Sequence, residues 1–146
     1  MFSDYARSYW QQGFSPIPGK VGPSGEKAPQ ISWKRYQEKR RMAEATLRRL
    51  EVTYQDAPLT MVCTGRFSDL TVVDVDGGKD DLAWARHTFG EPKVLVETAS
   101  GGYHLWYRSS GEKRVIKVCG RPVDILGEGS LVIGKRCGFP TYRCAA

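Results

Sequence analysis

Apolar and polar positions along this chain change period several times, and each change marks an element. Tyr5 and Tyr9 share one face of a short helix over residues 4–12, which Ser3 or Asp4 caps and Gly13 ends. Residues 14–18, Phe-Ser-Pro-Ile-Pro, predict an extended piece interrupted by prolines. Residues 19–29 are rich in glycine and proline and read as a surface loop carrying Lys20 and Lys27. From 31 to 51 the pattern turns helical: Ser32 opens a short piece with Trp33 and Tyr36, and Ala43, Leu47 and Leu50 recur at i, i+4 and i+7. Short apolar runs at 59–63, 70–76, 94–97, 103–107, 122–126 and 131–133 predict strands, with a weaker one at 114–118. A helix over 80–89 turns Leu82, Ala85 and Phe89 inward before Gly90 and Pro92 stop it.

The run Leu70-Thr71-Val72-Val73-Asp74-Val75-Asp76-Gly77-Gly78 organises the rest. Its β-branched residues favour a buried strand. Asp74 and Asp76 then point to one face, with Cα atoms roughly 6.5–7 Å apart. Two carboxylates that close, beside a buried sheet, need proton sharing, basic side chains or a divalent cation to compensate them. Gly77-Gly78 turns the chain and leaves both acids at the strand's mouth. A plainer reading is two solvated acids before a turn. An EF-hand calcium loop does not fit, because its sixth and twelfth positions, counted from Asp74, hold Lys79 and Ala85.

At 146 residues the chain is the length of one domain and long enough to bury a core. Its net charge of +6 and pI of about 9.3 lean towards a polyanionic partner. Lys34, Arg35, Lys39, Arg40, Arg41, Arg48 and Arg49 crowd one region against Glu38, Glu44 and Glu51. Such a run is ordinarily a solvated helix face. If nucleic acid binds, this is the densest basic surface for its backbone, with Lys34, Arg35, Arg41 and Arg48 as contacts. No register of the 19–29 loop supplies a Walker phosphate pattern, which leaves a surface loop or a basic lid that brings Lys27 over phosphates. The cysteines, Cys63, Cys119, Cys137 and Cys144, form no C-x-x-C pair, and with two histidines no zinc site is expected. No secretory leader and no apolar run of about 18–20 residues is visible, so the expectation is a cytoplasmic protein with reduced thiols and no membrane contact.

Two further stretches carry chemistry. Residues 98–102 form a tight turn ending in Gly101-Gly102, and His104 follows early in the next strand, where its ring can reach a ligand. A glycine pair lets a phosphate approach the backbone, and Ser100 adds a hydroxyl. Asp124 interrupts the apolar strand at 122–126, uncommon for an acid unless it is paired or metal-bound. Three carboxylates suit Mg²⁺ or Mn²⁺, and two such ions support phosphoryl or nucleotidyl transfer. Two other readings stay open. A metal-dependent nuclease also needs clustered acids, although its usual lysine is represented only by Glu91-Pro92-Lys93. A non-catalytic RRM-like binding module would need an exposed aromatic such as Trp106 to stack bases.

The set resembles the archaeo-eukaryotic primase superfamily, in particular the bifunctional primase/polymerase N-terminal domains of plasmids, phages and mobile elements. Asp74-Val75-Asp76 is similar to that family's first motif, Ser100-Gly101-Gly102-Tyr103-His104 to its second, and Val123-Asp124-Ile125 to its third. Gly13-Phe14-Ser15-Pro16-Ile17-Pro18, Lys27-Ala28-Pro29, Ile31-Ser32-Trp33 and Thr64-Gly65 also look familial. The resemblance implies an α+β fold: an RRM-like antiparallel catalytic sheet over about 59–146, with an N-terminal α/β module over about 1–58 packed against it. It implies that Asp74, Asp76 and Asp124 bind two Mg²⁺ or Mn²⁺ ions, and that His104, Ser100, Gly101 and Gly102 hold an incoming nucleoside triphosphate. The implied reaction builds or extends a primer on a DNA template, with a helical priming or helicase domain as a further partner. The family's Pro-Ser pair after the third motif is missing from 134–142, where Lys135 and Arg136 are the substitutes for phosphate contact.

Overall fold

A computed structural model describes residues 1–98, 100–136 and 143–144. In chain order the elements are helix α1 (Phe2–Gln11), strands β1 (Pro16–Val21) and β2 (Lys27–Pro29), helices α2 (Arg35–Glu38) and α3 (Glu44–Thr53), strands β3 (Leu59–Cys63) and β4 (Thr71–Val75), helix α4 (Lys79–Phe89), and strands β5 (Val94–Glu97), β6 (Tyr103–Tyr107), β7 (Val123–Leu126), β8 (Leu131–Arg136) and β9 (Arg143–Cys144). The class is α+β, with two antiparallel sheets. One has the order β2-β1-β3-β8 and the other β7-β4-β6-β5-β9.

Period-two alternation sorts the strand residues into layers. Ile17, Met61 and Cys63 face one way and pack with Phe2, Ala6, Tyr36, Met42, Leu47 and Leu50 of the N-terminal helices and their connections. Val62 and Val132, on the opposite face of the same sheet, meet Val72, Trp106 and Leu126 of the five-stranded sheet. Val73, Val75, Leu105 and Val123 face away from that contact, towards Ala85 of α4 and its half-buried neighbours Leu82, Trp84 and Phe89. The order is therefore helices, sheet, sheet, helix, and β4 is buried on both faces over most of its length.

Two crossings between the sheets, 64–70 and 127–130, lie at one end and are stitched together; a third, from β8 to β9, runs through 137–142, outside the described residues. The Thr64 hydroxyl donates to the Gly127 carbonyl at 2.5 Å, and the Thr64 N–H donates to the Ser130 carbonyl at 3.1 Å. The buried Gln37 amide also donates to the Ser130 carbonyl, and the Arg66 N–H donates to Glu128 Oε1 at 2.9 Å. β4 runs away from this end, so Asp76, exposed beyond the last residue of β4, lies at the opposite end of the strand.

Three expectations change. Residues 19–29 are not a loop: Gly19, Lys20 and Val21 pair with Pro29, Ala28 and Lys27 in a hairpin. Pro16 and Pro18 sit within β1; the Gln30 N–H donates to the Pro18 carbonyl, so the absent Pro18 N–H falls on the same side, where β2 has ended. The helical stretch 31–51 splits because both backbone groups of buried Met42 are taken by side chains, its N–H by Ser15 Oγ and its carbonyl by Trp10 Nε1. Residues 114–118 form no strand; a single bridge at Val115 leads into left-handed Lys117 and a short 3-10 turn.

Candidate active site

Strand register assembles the site. In β4, Asp74 lies opposite His104 of β6 on one side and opposite Asp124 of β7 on the other. Directly opposed side chains share a face. Asp124, Asp74 and His104 thus form one row across three adjacent strands, and Val96 of β5 extends it beyond His104. The preceding row on this face is Leu126, Val72, Trp106 and Val94, buried or half-buried against the other sheet. The acids begin where that cover stops.

Asp76, two residues on, projects from the same face just past the end of β4, where its N–H donates to the Pro122 carbonyl at 2.9 Å. Its carboxyl is raised above the ordinary range, first by burial, then by the charges of Asp74 and Asp124, with His104 partly offsetting them. The four groups therefore act on one another electrostatically. His104 Nε2 is 3.4 Å from Asp74 Oδ1, while its buried Nδ1 has no hydrogen-bond partner among the described residues. Asp124 Oδ1 accepts from the Lys117 N–H at 2.9 Å.

The 98–102 turn abuts the acids. The Thr98 N–H donates to the Gly102 carbonyl at 2.8 Å, and the Gly102 N–H donates to Thr98 Oγ1 at 3.0 Å. Gly101 has φ +87°, a conformation that disfavours a side chain. A Cβ on Gly102 would stand 2.5 Å from the Val75 carbonyl oxygen and 3.5 Å from Asp76 Cα. Only glycine lets this turn lie so near the acid's own backbone. Ser100 is exposed, with Oγ 3.2 Å from Thr98 Oγ1.

Family comparison bears on the same residues. The family model described as bifunctional DNA primase/polymerase, N-terminal, matches residues 6–141. The chain belongs to that family. Comparison with curated proteins gives no match. The primase/polymerase family is broadly one of nucleotidyltransferases working with DNA and nucleotides. In this primase/polymerase domain, no helix of the described residues is long and apolar enough to cross a membrane.

The remaining residues singled out from sequence are scattered over this primase/polymerase domain. Lys27 is exposed on edge strand β2. Lys135 belongs to β8, and its side chain lies outside the described residues, as do 137–142. Lys34, Arg35 and Arg48 are exposed on the helical layer, which the four-stranded sheet separates from the acids. Arg48 also pairs with Glu44 at 3.1 Å, and Arg41 lies over the Trp10 ring at 4.6 Å. Trp106 is a correction. It is 4% exposed, stacked on Tyr9 and edge-on to Phe14, so its ring offers no face to a base.

Sequence reasoning missed three residues in this primase/polymerase domain. Thr98 closes the glycine turn, and a threonine four residues ahead of Gly102 was the available signal. Lys117 acts on Asp124 through its backbone N–H, which no residue pattern announces. Arg121, one residue before Pro122, donates to Asp81 Oδ1 at 3.0 Å and stacks over Trp84 at 4.8 Å.

Proposed function

We propose that this chain is the catalytic domain of a primase/polymerase, joining nucleoside triphosphates to a primer or initiating nucleotide on a DNA template during replication of a plasmid, phage or mobile element. The observation that supports it is the register placing Asp124, Asp74 and His104 in one row beside Asp76. The donor set suits a hard divalent cation: three carboxylates, one with its proton affinity raised by burial and then by the other two. Among the described residues no group of three or more His, Cys, Asp or Glu side chains is already gathered as a metal cage, so the reading rests on the chemistry and register of these acids.

Asp74, Asp76 and Asp124 would hold Mg²⁺ or Mn²⁺. When bound, such ions neutralise phosphate charge and activate the attacking hydroxyl. The protein's own part is placement. The glycine turn brings backbone and the Ser100 hydroxyl next to Asp76, where the triphosphate would lie. His104, flanked by Asp74 on one side and Val96 on the other, is set to donate to a phosphate oxygen. The primer hydroxyl oxygen bonds to the α-phosphorus, the bond to the bridging oxygen breaks, and pyrophosphate leaves.

The test is extension of a labelled primer–template with Mn²⁺ or Mg²⁺, with and without deoxynucleoside triphosphates. Nucleotide-dependent lengthening that disappears in Asp74→Asn supports the reading. Shortening without nucleotides would replace it with a nuclease. An unprimed template in the same assay separates initiation from extension.

A further inference from the structure

The segment Lys113-Arg114-Val115-Ile116-Lys117 lies along the free edge of β7. The Val115 N–H donates to the Ile125 carbonyl at 3.0 Å, and the Ile125 N–H donates back at 2.7 Å. At the other end the Glu128 N–H donates to the Glu112 carbonyl at 2.8 Å. The crossing is close: a Cβ on Gly127 would stand 2.1 Å from the Glu112 carbonyl oxygen, so glycine is required there. The Lys117 N–H then reaches Asp124 Oδ1. This arm therefore borders the row of acids, about 5 Å from the strand of Asp124 and about 10 Å from that of Asp74 by ordinary strand spacing.

Its composition contradicts its position as a mere strand cover. All five residues are exposed, with Val115 at 45% and Ile116 at 61%. Lys113, Arg114 and Lys117 form no ion pair with a described residue. Val115 bridges to Ile125 and the Lys117 N–H reaches Asp124, so Ile116 sits between these two contacts, alongside Asp124 in the chain path. The segment beside the Asp124 strand thus carries an exposed aliphatic side chain with cations on either side in the chain. Near three carboxylates, free cations that do not fold back to neutralise them are available to an external polyanion.

We propose that the 113–117 arm grips the DNA strand whose end lies in the site, with Lys113, Arg114 and Lys117 on its phosphates and Ile116 against sugar or base. This rests on the proposed polymerase reading and adds the surface that the DNA occupies. Phosphates occur every nucleotide along a strand, which matches several cations within five residues better than one compact triphosphate does. The basic run at 34–49 has the wrong location, behind the other sheet.

The experiment is fluorescence anisotropy on the full chain with a mixed-sequence primer–template, in EDTA, across a salt series. The variant is Lys113→Gln/Arg114→Gln/Lys117→Gln; glutamine keeps the Lys117 backbone N–H that Asp124 accepts. Expected are a roughly tenfold or greater loss of affinity at low salt and a salt slope smaller by about two to three. Ile116→Ala, at an exposed position, should weaken binding a few-fold without changing the slope. Lys34→Gln/Arg35→Gln/Arg48→Gln should do much less than the arm triple. Unchanged affinity and slope in a folded arm triple would overturn the proposal, as would loss of triphosphate binding with DNA binding intact. The two readings fail separately: Asp74→Asn tests chemistry and should leave metal-free DNA binding in place, whereas the arm variants test binding where no chemistry occurs.

Discussion

Two neighbouring rows cross the same face of the five-stranded sheet, and they differ in what lies above them. Leu126, Val72, Trp106 and Val94 pack against Val62, Val132, Tyr9 and Phe14. Asp124, Asp74 and His104, one pleat further on, are only partly buried. The backbone, register and strands are the same. The apolar cover from the second sheet reaches the first row and not the next, so one row contributes to stability and the next is free for chemistry. Carboxylates in the first row would be buried charges without partners. Apolar residues in the second would leave a cleft with nothing to hold a ligand.

The largest expected effect exchanges size for a void in the covered row. Trp106→Ala should cost about 3–5 kcal/mol and lower the melting temperature by roughly 10 °C or more, read by thermal denaturation. In the open row, Asp74→Asn should reduce primer extension by about a hundredfold or more with little change in melting. A variant that melts far lower would mean Asp74 belongs to the covered row after all. Gly102→Ala tests the turn that adjoins the open row. Its Cβ clashes with backbone, so a loss of about 1–3 kcal/mol is expected, with weaker triphosphate binding by calorimetry. The smallest effect is Asp76→Asn in metal-free protein. The raised carboxyl means that the folded chain holds this proton more tightly than the unfolded chain does. Metal-free wild type should therefore gain stability as pH falls through the carboxylate range and lose it as pH rises. Asn should remove that slope and raise melting at neutral pH by about 1 °C. A steeper slope in the variant would contradict the repulsion among the three acids.

These rows also explain what the sequence revealed. Asp74 and Asp76 were legible because period two needs only local pattern, and Asp124 because an acid between Val123 and Ile125 is conspicuous. Most strands were legible for the same reason. Their register was not, because hydrogen-bonded pairing between distant segments leaves no mark in either one alone. Trp106 shows the cost. Its place on the face of His104, opposite Leu105 and Tyr107, follows from period two, but whether that face is covered depends on how far the other sheet reaches over it. The β1–β2 hairpin was hidden by prolines and glycines that usually signal a loop, and the 114–118 run read as a strand although only isolated bridges, from Lys113 and Val115, tie that arm down.

The stitching of the 64–70 and 127–130 crossings around Thr64 and Ser130 has a consequence for traffic. At this end the two sheets are held like pages at a spine, and Gln37 is part of the binding. Amide protons at the spine should exchange with solvent last, and thermal breathing should be widest at the fore-edge, near Asp76. A lengthening polymer that enters by that margin would be expected to leave by it too, because the Thr64, Gly127 and Ser130 contacts join the strands at the other end.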